Sequence, residues 1–461
     1  MPGVPSSKGC DACRKVKKKC DELQPCSRCL RLQIDCVGSG QQRFKFKNAE
    51  STVIVQAAPR RTRPVSRAKR LSTSKIVSPL SMDSLSTSFV HSLKISDIRY
   101  DLAYYGPFLH DIPRRLGSSR ALDASVKTLV TAYPYFHGRG FPPSVFVNFG
   151  SSLRALRECL SDPVEARSSN TLCAVYLITI CQSWLGKYDD QLTSHGEAIA
   201  HMLRMADPEK CQNKFERDIL MTLSIPVILE SISNPRVRME PSFWEKLVSV
   251  IRGRSAGSSD TRPRPTTDIF TLAKFPDFIR DPDSCVSEMA ATYLQIRDDS
   301  RKMRQYLDNW SPTQTEDWCS VALMQRSRYQ AGYCLVITLG LILNTLLRAF
   351  DPQNEMLAQE SAFYCDEIID EAELASCYRP LGAAYMALCL VIALASVENP
   401  AQHARIETIL ADYQTDFSET RWRDRAMWLR ATFESHRLRI ASGSGVRSPD
   451  GVVHPSTCCM M

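Results

Sequence analysis

The sequence predicts a small metal-clustered head of two short helices and loops, joined by a basic linker to a large all-α body. Three observations carry this: six closely spaced cysteines at the start, a charge asymmetry along the chain, and helical apolar periodicity over most of the rest. The cysteines come first. Cys10-x2-Cys13-x6-Cys20 is followed after five residues by Cys26-x2-Cys29-x6-Cys36, so one half-site is written twice. Two tetrahedral zinc ions need eight ligand positions, and six thiolates can fill them only if two sulfurs bridge the metals. The arithmetic points to a single binuclear cluster holding two zinc ions. Apart from the cysteines, this stretch offers only Val16, Leu23, Leu30, Leu32, Ile34 and Val37 as core material. Metal must replace the hydrophobic core that so short a segment cannot build.

The charge asymmetry separates head from body. Residues 1–80 carry 18 Lys and Arg against five Asp and Glu, leaving a net −5 of the chain's +8 for the remainder. A basic head on a mildly acidic body suits a head that meets a polyanion. Of the 18 cysteines, the twelve outside the opening repeat have no motif, and several sit in apolar helical runs. Unpaired thiols and the lack of an apolar leader at residues 1–9 suit a reducing compartment, nuclear or cytosolic.

Four segments follow: a zinc head at 1–40, a basic, disordered linker at 41–95, an all-α body at 96–441 and a flexible tail at 442–461. In the body, apolar residues recur at three- and four-residue spacing between Pro, Gly and polar caps. Ser118-Ser119 precede a stripe of Leu122, Val126, Leu129, Val130 and Tyr133, and Asp281-Pro282-Asp283 open a helix through Met289, Tyr293 and Ile296. Further helices are expected around 143–161, 170–186, 212–232, 315–349, 357–377, 381–397 and 421–440, about a dozen in all. The Gly, Ser and Pro residues of 252–267 mark a mobile surface loop. Tyr329–Leu347 and Pro380–Val397 lack charged residues and approach membrane-spanning length. Their interspersed Gln330, Asn344, Thr345 and Ser396 favour central core helices.

The two cysteine half-sites differ in what they enclose. The first holds Arg14, Lys15, Val16, Lys17, Lys18 and Lys19, and the second Leu30, Arg31, Leu32, Gln33, Ile34 and Asp35. A short helix from Cys13 would present five cations, Arg14, Lys15, Lys17, Lys18 and Lys19, to the phosphates and guanine edges of double-stranded DNA. Leu30, Leu32 and Ile34 would pack against the first half. Ligation of Cys13 and Cys20 ties both ends of the basic run, which distinguishes it from a solvated charge cluster.

Cys10-Asp11-Ala12-Cys13-Arg14-Lys15-Val16-Lys17-Lys18-Lys19-Cys20, with Pro25 before Cys26, resembles the fungal binuclear zinc-cluster transcription factors. The resemblance implies that Cys10 and Cys26 bridge the two zinc ions and that Pro25 shapes the loop between half-sites. It further implies that Lys17, with Lys18 beside it, reads a CGG triplet. Val16 stands where the family often has a basic residue, which removes one phosphate contact. More loosely, 97–440 is similar to the family's all-α regulatory region, chiefly at Tyr105-Gly106-Pro107-Phe108-Leu109-His110-Asp111-Ile112-Pro113.

Arg43, Lys45 and Lys47 alternate with Phe44 and Phe46, so an extended segment would segregate cations from aromatics. Residues 37–60 show no heptads, and no dimerisation through this linker is expected. Arg60, Arg61, Arg63, Arg67, Lys69 and Arg70 suit a nuclear-import signal. His195-x-Glu197-x3-His201 places its histidines on different helix faces and reads as structural. The Asp366–Glu371 acidic run reads as a solvated helix face. Cys458-Cys459-Met460-Met461 matches a prenylation pattern without the polybasic flank, and no P-loop or nucleophile elbow is present. The expected protein is a zinc-dependent nuclear transcription factor of RNA polymerase II genes, not an enzyme, with co-regulators and a small-molecule effector as partners of its helical body. The alternative is a helical scaffold or ligand-binding regulatory protein with an accessory zinc head.

Overall fold

The computed structural model describes residues 10, 12–13, 16, 19–21, 23, 25–34, 36, 79–94, 97–136, 138, 140–186, 195–211, 213–252, 263–310, 321–417 and 421–442. The chain divides into two compact units, Met1–Ser74 and Lys75–Met461. In the first, helix α1 (Ser27–Leu32) is capped by the Cys26 sulfur, which accepts the Cys29 amide, and ends at Gln33 in the left-handed region. The second unit is helical, with no strand among its described residues.

The body begins with α2 (Pro79–Leu93), within the stretch expected to be linker. Phe89, fully buried, draws α2 into the body, whereas residues 41–78 lie outside the described ones. A 3-10 segment, Pro107–Arg115, then buries Phe108, Leu109 and Ile112. Gly106 precedes it at φ 131°, and a Cβ there would stand 2.7 Å from the Thr222 hydroxyl. The motif at 105–113 is thus a core-building element.

Next come α3 (Arg120–Ala132), α4 (Pro143–Leu160), α5 (Ser169–Leu185), α6 (His195–Met205), α7 (Lys214–Ser233) and α8 (Pro241–Arg252). Ser119 caps α3 by accepting the Leu122 amide. Leu122, Val126 and Leu129 of the expected stripe join Leu177, Trp184, Leu223 and Phe89 in a first hydrophobic core. Ile269 of the short α9 (Ile269–Leu272) also joins the first core, and the second is built by α10 (Phe275–Arg280), α11 (Val286–Asp308), α12 (Val321–Phe350), α13 (Glu355–Ala375), α14 (Met386–Ser396), α15 (Pro400–Gln414) and α16 (Trp422–Ala441). Met289, Tyr293 and Ile296 all lie in it.

Three local expectations need correction. Helix α14 starts at Met386 rather than 381, because the chain bends at Gly382, where a Cβ would lie 2.7 Å from the Tyr378 carbonyl oxygen and 2.8 Å from that of Ile98. Leu381 accordingly donates its amide to Arg99 instead of entering a helix. At the end of the expected mobile loop, Thr266 donates its amide and hydroxyl to Asp299, both at 2.7 Å, and Tyr329 donates to the Pro263 carbonyl. That end is held; residues 253–262 lie outside the described ones. The acidic run, finally, is only half solvated. Asp366 and Asp370 face outward, but Glu367 and Glu371 are buried, accepting from Tyr333 at 2.6 Å and Gln330 at 2.5 Å. Arg304 bridges both carboxylates.

Ala322–Phe350 is long and apolar enough, by length and composition, to cross a membrane. In this body it is the central rod of the second core, packed by α11, α13, α14 and α16. Its buried Asn344 donates to Tyr293 Oη and to the Leu357 carbonyl, both at 2.9 Å. Both of these amide hydrogen bonds thus go to neighbouring elements, while Thr338 and Thr345 donate to the Cys334 and Leu341 carbonyls of their own helix.

Candidate metal centre and nucleic-acid interface

The repeated spacing becomes repeated geometry. In each half-site the amide of the first cysteine donates to the sulfur of the third: Cys10 to Cys20 at 3.4 Å and Cys26 to Cys36 at 3.2 Å. The Cys29 amide likewise donates to the Cys26 sulfur at 3.4 Å. Cys10, Cys13, Cys26 and Cys29 are buried, so sulfur itself forms the core of the head.

The sulfurs fall into two sets of four, Cys10, Cys13, Cys20, Cys26 and Cys10, Cys26, Cys29, Cys36, with all sulfurs of a set within 4.8 Å of one another. Both sets contain Cys10 and Cys26. A tetrahedral ion with Zn–S bonds of about 2.3 Å holds its sulfurs about 3.8 Å apart. The observed separations are 3.8 Å for Cys10 to Cys26, 3.5 Å for Cys10 to Cys29 and 3.8 Å for Cys13 to Cys26. The donor set and its spacing fit zinc.

Local electrostatics separate the sulfurs by role. The Cys13 and Cys29 amides lower the thiol pKa of Cys10 and Cys26, the two shared positions. Burial instead pushes the Cys13 thiol up to about 11 and raises that of Cys29 as well. Cys13 and Cys29 must give up their protons to bind a metal, which couples metal loading to proton release. The Arg28 guanidinium lies 3.9 Å from the Cys13 sulfur. Nothing in the ligand spacing singles it out, although the first turn of α1 places it one residue from Cys29. Asp21 completes the loop by accepting the Ser27 amide at 3.0 Å.

The apolar half does not pack as expected. Leu30 is 67% exposed, Leu32 47% and Ile34 45%, and Val16 and Leu23 are exposed too. Cys26 at the N-cap of α1 and Cys29 within it are buried, while Leu30 and Leu32 stay exposed. Of the five candidate DNA-facing cations, Lys19 is exposed, while Arg14, Lys15, Lys17 and Lys18 lie outside the described residues. So do Arg43, Lys45 and Lys47, the import candidates Arg60, Arg61, Arg63, Arg67, Lys69 and Arg70, and the tail from 443. In the body, Glu197 accepts from Asn234 at 2.8 Å and His201 is exposed, a structural arrangement. Among the described residues, only the two cysteine sets have a metal-ligating arrangement.

Comparison with known proteins agrees with this geometry. Residues 8–45 match the family model of the fungal Zn(2)-Cys(6) binuclear cluster domain. No curated protein and no solved structure matches the chain. With a duplicated ligand spacing, two overlapping four-sulfur sets and a family match over the same residues, the head of this chain is a fungal Zn(2)-Cys(6) binuclear cluster domain, a two-zinc module of DNA-binding transcription regulators.

Proposed function

We propose that this protein is a nuclear, sequence-specific transcription factor of RNA polymerase II genes that reads CGG-type sites in double-stranded DNA through Lys17 and Lys18. The observation that carries the reading is the pair of overlapping sulfur sets, whose members Cys13 and Cys20 bracket the run from Arg14 to Lys19. Cys10 and Cys26, members of both sulfur sets, would be ligands to both zinc ions, with Cys13 and Cys20 completing one site and Cys29 and Cys36 the other. Zinc, when bound, supplies the cross-links that stand in for an apolar core. The chain does the rest: its ligand cysteines tie both ends of the basic run, Arg14, Lys15 and Lys19 neutralise phosphates, and Lys17 and Lys18 donate to guanine O6 and N7. Arg60, Arg61, Arg63, Arg67, Lys69 and Arg70 direct nuclear import, and the helical body receives co-regulators or an effector.

The test is fluorescence anisotropy of the zinc-loaded full chain on a CGG duplex and a scrambled one, over a range of salt. Three phosphate contacts give a slope of log K on log salt of about −2.7. Lys17→Ala should lose about 1–3 kcal/mol of discrimination, roughly 5- to 150-fold, while keeping two zinc ions per chain. Equal affinity for both duplexes would overturn the proposal and favour a helical regulatory protein with an accessory head.

A further inference from the structure

An apolar cavity of about 170 Å³ opens between the two cores of the body, walled by α7, α9, α10, α12, α14 and α16. Ile228 on one wall belongs to the first core and Phe275 on another to the second. Native interiors leave few voids larger than a water molecule. For scale, an apolar cavity of about 150 Å³ is large enough to take up benzene. Ile225 and Leu335, two of the lining residues, are 41% and 37% exposed, so the space reaches the surface between α7 and α12.

The two hydroxyls around this space are already engaged. Thr338 donates its hydroxyl to the Cys334 carbonyl at 2.7 Å, and Ser233 donates to that of Glu230 at 3.5 Å. The Arg425 guanidinium lies 5.8 Å from the centre of the Trp422 ring. The indole nitrogen of Trp428 is buried with no hydrogen-bond partner among the described residues. A charged group entering here would lose its hydration among walls that are mainly Ile, Leu, Val and Phe side chains.

We propose that this cavity is a binding site for a small, uncharged, apolar molecule of aromatic or compact hydrocarbon character. The binding site goes beyond the DNA-binding reading and does not depend on it. p-Xylene and its charged near-isostere 4-methylbenzoate are the probes, titrated calorimetrically into the full chain. p-Xylene should bind saturably at one site per chain and raise the melting temperature, and 4-methylbenzoate should bind at least tenfold more weakly. Ile225→Trp and Leu335→Trp each place an indole at the partly exposed rim and should weaken p-xylene at least tenfold, the second variant serving should the first misfold. Absence of saturable binding, equal binding of the carboxylate, or indifference to both rim variants would overturn the proposal. Binding seen only after removal of residues 443–461 would also overturn it, making the chain's own tail the occupant. Loss of CGG selectivity leaves these outcomes unchanged, so failure of either proposal can be told from failure of the other.

Discussion

Replacing Cys26 by serine should strip both metal ions from the head, whereas replacing Cys20 should strip one. The difference comes from membership: Cys26 and Cys10 belong to both four-sulfur sets, and each of the other four cysteines belongs to one. A structural zinc ion is worth about 10–16 kcal/mol, or roughly 3–4 kcal/mol per thiolate in a four-sulfur site. At about 1.4 kcal/mol per factor of ten, one missing sulfur weakens a site by roughly 10²- to 10³-fold. Cys20→Ser or Cys36→Ser imposes that loss on one site; Cys10→Ser or Cys26→Ser imposes it on both. The assay is zinc content of the full chain by mass spectrometry, after equilibration with a chelator that competes successfully only for a site weakened about a hundredfold. The expected contents are two zinc ions for the unaltered protein, one for Cys20→Ser or Cys36→Ser, and none for Cys10→Ser or Cys26→Ser. A Cys26→Ser protein that retains one zinc ion, indistinguishable from Cys20→Ser, would refute the shared-sulfur argument.

Other predictions concern the body. Burial raises the pKa of the Glu371 carboxyl, so the folded chain keeps a proton that the unfolded chain releases. Its contribution therefore weakens as pH rises from the ordinary carboxylate value of about 4.3 through the raised one. Glu371→Gln should flatten this part of the pH dependence of urea unfolding followed by circular dichroism; an unchanged slope would contradict it. Asn344→Ala removes the donor that serves Tyr293 Oη and the Leu357 carbonyl and should cost about 2–3 kcal/mol in the same assay. Gly106→Ala forces a side chain to φ 131° and into the Thr222 hydroxyl, and should lower stability by more than about 1 kcal/mol, whereas Gly150→Ala, in open space, should not.

Some of this architecture is legible because its causes are local. Metal ligation requires particular residue types at short spacing, so Cys10 to Cys36 reveal the cluster without any knowledge of the fold. Helix periodicity and caps act over one or two turns, which is why Ser119 and the Leu122, Val126, Leu129 stripe could be read directly. The failures have a common origin in competition for an inner face. Leu30, Leu32 and Ile34 look like core residues by composition, but in so small a head the sulfurs take the interior and the aliphatic side chains turn outward. Glu367 and Glu371 look like solvated acids beside Asp366 and Asp370. They are buried because Arg304, Gln330 and Tyr333 come from helices 34 to 67 residues away.

By itself the sequence determined the binuclear stoichiometry, the all-α class of the body and the separation of a basic head from an acidic remainder, since these depend on ligand count, period and charge. Only the tertiary structure decided where Arg28 sits, how α7 and α12 leave a cavity between two cores, and which acids are buried. Each of these depends on distances between residues far apart in the chain, and packing, not local propensity, sets those distances.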